Sequence, residues 1–241
     1  MPRGDLPGWK QTFVDDFASD VPVGSFPEAS AYQGRWNVYP DGTPDTAGKN
    51  GAKSRYYPSK VVSVQDGMLR CNLHTADGTP MAAALLPVLP GHSDAYQGQL
   101  YGKYTIRFRA DPVVGFKTAW LLWPDTGAWP RDGEIDFPEG DLSGTIGAFM
   151  HRQDGTSGGD QDAFGTTATY AAWHTASIEW TPDKVDFILD GHSIGSSTGR
   201  IPNTPMHWVI QTESSLDHVP APAASGDLQI DWVAMYSYLQ P

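Results

Sequence analysis

Tyr104, Ile106 and Phe108 alternate with Lys103, Thr105, Arg107 and Arg109, the two-residue period of a strand with one face buried and the other solvated. Leu228, Ile230, Trp232, Ala234, Tyr236 and Tyr238 repeat that period near the carboxyl end and predict a second strand with a continuous apolar face. Ala176, Ile178 and Trp180 do the same mid-chain, followed by Thr181-Pro-Asp-Lys184, an apolar run from Val185 to Leu189, and Asp190-Gly191. That order predicts a β-hairpin and its exit turn. Similar short runs recur between Gly, Pro and Asp clusters, without the repeat of roughly 20 to 50 residues that marks a propeller or solenoid. The expected fold is all-β, an antiparallel β-sandwich of two packed sheets.

Two stretches break the pattern. Residues 39–55 and 153–169 are rich in Gly, Asp and Thr and carry little periodicity, so both read as long loops of the kind that line functional sites. The Pro/Ala/Ser stretch 220–225 precedes a resumed strand pattern at Leu228 and is expected to be a surface loop rather than a linker. A single domain over residues 1–241 follows, a size common among β-sandwiches.

Composition narrows the function classes. The chain's 26 Gly and 20 Pro leave few windows long enough for a stable helix. A net charge of −12 disfavours nucleic acid and anionic membrane surfaces, both of which attract basic patches. A neutral polymer remains compatible. Nine Trp and ten Tyr can fill a β core or offer flat faces to sugar rings. The one cysteine, Cys71, excludes an internal disulfide and a multi-cysteine zinc site, and its alternating surroundings suit a small buried side chain. The most apolar run, Ala82 to Pro90, is too short to span a bilayer. Met1-Pro-Arg-Gly-Asp5 lacks the apolar core of a secretory signal, as expected for a cytosolic protein or one with its signal removed.

The chemistry concentrates in Gly133-Glu-Ile-Asp-Phe-Pro-Glu139. Strict alternation puts Glu134 and Asp136 on one face and Glu139 on the other. One extra residue, a β-bulge, returns Glu139 to the face of its partners, and Pro138 marks Phe137-Pro138 as the place, because proline within sheets is confined mainly to bulges and edges. Acids gathered on one face are costly unless they meet water or a ligand. Two glutamates leaning over a shorter aspartate can approach the ~5 to 5.5 Å carboxyl separation of a retaining glycosidase. In that reading Glu134 is the nucleophile, Glu139 the general acid/base, and Asp136 orients Glu134 and shares a proton with it.

This segment resembles the Glu-x-Asp-x-x-Glu signature of glycoside hydrolase family 16, in the bulged form of its laminarinase-like members. Phe13-Val-Asp-Asp-Phe17, Gly102 to Arg109, Trp173 to Pro182 with Phe187 to Gly191, and Ile230 to Tyr236 are similar to further strands of that family in the same order. The resemblance implies a jelly roll with a concave cleft for an internal stretch of β-glucan, β-1,3 or mixed β-1,3/1,4 linked. It implies that Trp120, Trp129, His151 and Gln211 contact sugar, that no organic cofactor is needed, and that a structural calcium sits near Asp16, Gly67 and Asp231. Secretion and a monomeric state are further expectations. Phe137-Pro138 replaces the Ile-Met common in laminarinases, and Ser59-Lys60 stands where many carry Glu-Asn, which leaves another β-linked polymer such as a galactan open. A non-catalytic carbohydrate-binding protein on the same sandwich is the remaining alternative.

Overall fold

The predicted alternation becomes two antiparallel sheets packed face to face in the computed structural model, which describes residues 1–240. The first part of the chain forms β1 (Trp9–Asp15), β2 (Trp36–Val38), β3 (Thr43–Pro44), α1 (Thr46–Lys49), β4 (Arg55–Tyr56) and α2 (Pro58–Val61). Next come β5 (Val62–Gln65), β6 (Met68–Ala76), β7 (Thr79–Pro87), β8 (Gly102–Ala110), β9 (Phe116–Pro124), β10 (Glu134–Asp141) and β11 (Thr145–His151). The remainder is β12 (Gln161–Thr169), β13 (His174–Trp180), β14 (Val185–Leu189), β15 (His192–Ser197), β16 (Met206–Ser214) and β17 (Ser225–Tyr238).

A front sheet runs in the order β12-β11-β10-β9-β16-β7-β2. The back sheet runs β15-β14-β13-β8-β17-β6-β5, with β1 alongside the carboxyl half of β17. Strand β7 joins them: Thr79 to Met81 pair with β6 in the back, and Ala83 to Pro87 pair with β16 and β2 in the front. A strand crossing from one layer to the other is enclosed on all sides, which accounts for the buried run Pro80–Pro87 at the most apolar stretch of the chain.

Between the sheets lie the side chains that the two-residue period singled out. Tyr104, Ile106 and Phe108 are buried, as are Ala176, Ile178 and Trp180 of the predicted hairpin, whose second strand pairs in register from Val185 to Leu189. Cys71 is part of this core. Trp120 is fully buried there too, its ring edge-on to Phe108 at 5.0 Å and its Nε1 donating to Thr212 Oγ1 at 3.4 Å. The expectation that Trp120 contacts sugar is therefore corrected: it faces the back sheet, not the open surface.

Two other expectations change. The apolar row of β17 is not continuous, because a register shift between Ile230 and Trp232 turns the strand over. Leu228 and Ile230 face the main core, Val233 and Met235 take their place beyond the shift, and Trp232, Ala234 and Tyr236 pack outside it against Leu6, Trp9 and Val14. The stretch 153–169, expected to be loop, is a strand from Gln161 onward. It edges the front sheet, where its small polar residues stay half exposed on one face and exposed on the other, so burial imposes no apolar alternation.

Trp120→Ala should lower unfolding stability by about 3 to 5 kcal/mol in urea titrations, the usual cost of deleting a buried large aromatic. Trp129→Ala, at a ring that is 40% exposed, should cost less than about 1 kcal/mol.

Candidate active site

Gly133 brings the chain into β10 with φ 74°, and a Cβ there would meet the His151 carbonyl oxygen at 2.6 Å, so the entry turn requires glycine. Glu134, Ile135 and Asp136 pair with His151, Met150 and Phe149 of β11, but the next pair is Glu139 with Gly147. On the other side Asp136 pairs with Leu121 of β9 and Glu139 with Ala119. Three steps along β10 thus match two on each neighbour, which is the one-residue bulge expected at Phe137-Pro138. Ile135 and Phe137 point into the core, Phe137 edge-on to Phe187 at 5.6 Å. Glu134, Asp136 and Glu139 share the opposite, outward face.

Around them the front sheet forms two recesses. One of about 410 Å³ lies beside Glu134 and is lined by Tyr39, Thr46, Lys49, Leu121, Trp123, Trp129 and Gln211. Another of about 520 Å³ lies beside Glu139, with Lys117, Gly147, Phe149, Phe164 and Leu216 in its wall. Trp123 and Trp129 stack at 6.2 Å and 17°, and Trp129 meets His151 edge-on at 6.0 Å. His151 Nε2 lies 3.9 Å from Glu134 Oε2 and 3.5 Å from Asp136 Oδ2. Trp129, His151 and Gln211 are thus gathered with the acids, whereas Trp120 is not.

The family model for glycosyl hydrolases family 16 matches residues 91–234, which include β8 to β16 and every acid of the site. The chain belongs to glycosyl hydrolases family 16. A β-glucanase of Acetivibrio thermocellus is 30% identical over 109 residues, 44% of this chain and 31% of that protein. A glucan endo-1,3-β-glucosidase of Cryptopygus antarcticus is 29% identical over 102 residues, 38% of this chain and 37% of the relative. The chain thus spans about a third of the length of these curated relatives. Among solved structures, a non-specific endo-β-1,3(4)-glucanase of the family superposes with a TM-score of 0.77 at 19% identity, covering 99% of this chain and 95% of that one. At that identity the likeness speaks to the fold.

The electrostatics of this family 16 site come mainly from burial. Glu134 and Asp136 are only 8% and 2% exposed. Loss of solvent pushes the Glu134 carboxyl up to about 7, with the negative charge of Glu139 adding to it. Asp136 is raised well above the carboxylate range by burial first and by Glu134 next. The two are hydrogen-bonded to each other, which two carboxyl groups can do only when one holds a proton. The deeper Asp136 is that donor, leaving Glu134 as the accepting anion. Burial lowers His151, so its imidazole is neutral at neutral pH. Lys117 donates to Glu139 Oε1 at 2.7 Å. Burial opposes the Lys117 charge, but Glu139 foremost and Glu213 behind it outweigh it and hold the ammonium charged.

One wall is tied down from beneath. Asp45, fully buried, accepts from Gly48 N–H, Ser54 Oγ and Ser214 N–H. Glu213 accepts in turn from Thr46 N–H and Tyr56 Oη. These bonds fasten residues 45–56, carrying Thr46 and Lys49, to the end of β16.

The residues implied for calcium behave differently. Asp15 pairs with Val233 and Leu69 with Ile230, so Asp16, Gly67 and Asp231 approach one end of the back sheet. Both carboxylates are already ion-paired, Asp16 with Arg3 and Asp231 with Arg107. As arranged, one oxygen of each carboxylate is taken by an arginine, and the two side chains by themselves supply fewer than the six or more oxygen ligands that calcium takes.

Sequence reasoning missed Trp123, Tyr39, Thr46, Lys49 and Lys117. Parity alone could separate Trp120 from Trp123, which lie three apart on one strand, but choosing the outward one needs the register with β10. The unusual length of residues 39–55 was the available signal for Thr46 and Lys49.

The raised acid pair has a consequence for stability. Between about 4.5 and 7 the unfolded Glu134 has lost its proton while the folded pair holds both of its protons and gives up the first, from Glu134, only near 7, so stability falls as pH rises through that window. Glu134→Gln removes this loss. Its Tm relative to wild type should rise from pH 5 to pH 8, and a constant difference would contradict the burial argument.

Proposed function

We propose that the protein is an endo-acting, retaining β-glucanase that cleaves β-1,3 or mixed β-1,3/1,4 glucan. The observation that carries the reading is the bulge that sets Glu139 on the face of Glu134 and Asp136, between two open recesses, in a chain of family 16. Recesses on both sides suit an internal stretch of polymer, and the stacked pair Trp123 and Trp129 offers apolar ring faces beside Glu134.

In the first step Glu134 attacks the anomeric carbon while Glu139, in its protonated form, gives that proton to the departing glycosidic oxygen, leaving a covalent glycosyl-enzyme. Asp136 donates its hydrogen bond to Glu134, holding the attacking carboxylate in place and stabilising its charge again as the ester breaks. In the second step Glu139, now a base, removes a proton from water as that water attacks the anomeric carbon and frees Glu134. Lys117 occupies Oε1 of Glu139, so the other carboxylate oxygen carries the transferred proton. The likeness to β-glucanases named above supports glucan as the substrate.

Reducing ends released from laminarin, lichenan and galactan test the substrate, and the first-formed anomer seen by proton NMR tests retention. Glu134→Gly should lose at least about a thousandfold of glucan hydrolysis and regain turnover with azide, yielding the α-glycosyl azide. Full activity without Glu134 would overturn the mechanism. Trp123→Ala should raise KM for laminarin about tenfold or more, the worth of a lost ring-stacking face, with Tm within a few degrees of wild type. An unchanged KM would remove Trp123 from the substrate path.

A further inference from the structure

Asp136 Oδ2 is buried and accepts no hydrogen bond, on a side chain only 2% exposed. Leaving a buried carboxylate oxygen unpaired is costly, and this one is aimed at His151 Nε2, 3.5 Å away. Glu134 Oε2 lies 3.9 Å from the same nitrogen. One ligand atom from each of Glu134, Asp136 and His151 falls within 4.8 Å of the others. A tetrahedral ion with bonds of about 2.0 to 2.2 Å sets its ligands roughly 3.3 to 3.6 Å apart, a spacing that the Asp136–His151 pair already has and that the Glu134–His151 pair exceeds by less than about 0.6 Å.

We infer that Glu134, Asp136 and His151 form a site for a divalent transition ion of the zinc type, and that its binding blocks the active site. The donor set is one imidazole nitrogen and two carboxylate oxygens, the ion displacing to solvent the proton that Asp136 otherwise holds. It suits zinc or copper, whereas calcium and magnesium take six or more ligands, predominantly oxygens. Each ligand sits on a strand, with Glu134 and His151 directly paired across β10 and β11, so the arrangement exists before the ion arrives. Lys117, whose charge acts on Glu134 and Asp136, is ion-paired to Glu139 and its charge is largely offset. Glu134 also lines the recess that holds Trp129 and Gln211, leaving a fourth position open to water. An ion held there would occupy the oxygen that attacks the sugar. The blocking half rests on Glu134 as nucleophile; the binding half does not.

Calorimetric titration of the full chain with zinc chloride, in a buffer that does not bind metal, separates the two halves. One ion per chain is expected, with affinity reduced at least about tenfold in Asp136→Asn and in His151→Phe, each checked for a native unfolding transition. His192→Ala and His218→Ala remove exposed imidazoles and should leave binding unchanged. Cobalt(II) should give the intense visible absorption of a tetrahedral site in wild type and lose it in both site variants. Laminarin hydrolysis should fall in proportion to occupancy and return with a chelator. Binding that survives both site variants, or none above that of the surface histidines, overturns the inference, as does undiminished hydrolysis at full occupancy. Zinc binding without glucan hydrolysis would instead sink the proposed substrate and leave the metal site standing.

Discussion

One extra residue in a buried strand is the constraint on which the site depends. At Phe137-Pro138 strand β10 advances three positions while β9 and β11 advance two. Without that step Glu139 would point between the sheets, where an ionised carboxylate would have neither water nor Lys117 beside it. With it, Phe137 fills core space against Phe187, and Glu139 emerges on the face of Glu134 and Asp136. Packing on one side of the strand and chemistry on the other are set by the same local insertion.

The acids are tolerated because the surrounding structure divides their charge. Asp136, the deepest, stays protonated because burial disfavours its charged form, and it hydrogen-bonds to Glu134. Glu139 is matched by Lys117 from the adjacent strand. Burial alone would neutralise Glu134 as well, yet the Asp136 hydrogen bond favours its anion. A buried nucleophile held between these influences is destabilising to the fold and useful to the reaction. The same tension leaves Asp136 Oδ2 accepting no hydrogen bond next to His151, the feature on which the proposed metal site rests.

Rigidity comes from the core and from the fastening beneath the wall. Trp120, Trp180 and Trp208 are fully buried between the sheets, and the Asp45 and Glu213 hydrogen bonds hold residues 45–56 to β16. The aromatic content that suggested sugar binding thus serves two purposes. Trp123 and Trp129 face the recess beside Glu134, while their neighbour Trp120 anchors the strand from behind.

Read by itself, the sequence determined the β class, the Ala176–Leu189 hairpin, the acidic segment and the place of its bulge. Each of these is a local signal: a two-residue period, a turn composition, a proline where a ladder N–H would otherwise be needed. Tertiary structure decided which of two tryptophans on β9 faces outward, because only pairing with Asp136 assigns parity to that strand. It also split the apolar row of β17 at Ile230, a shift set by its neighbours, and drew strand β12 from a stretch with no apolar alternation. Lys117 and Lys49 reached the site through contacts distant in sequence. Periodicity reports which positions differ in burial along one strand; which face meets the core, and what stands beside an acid, depends on strands far away in the chain.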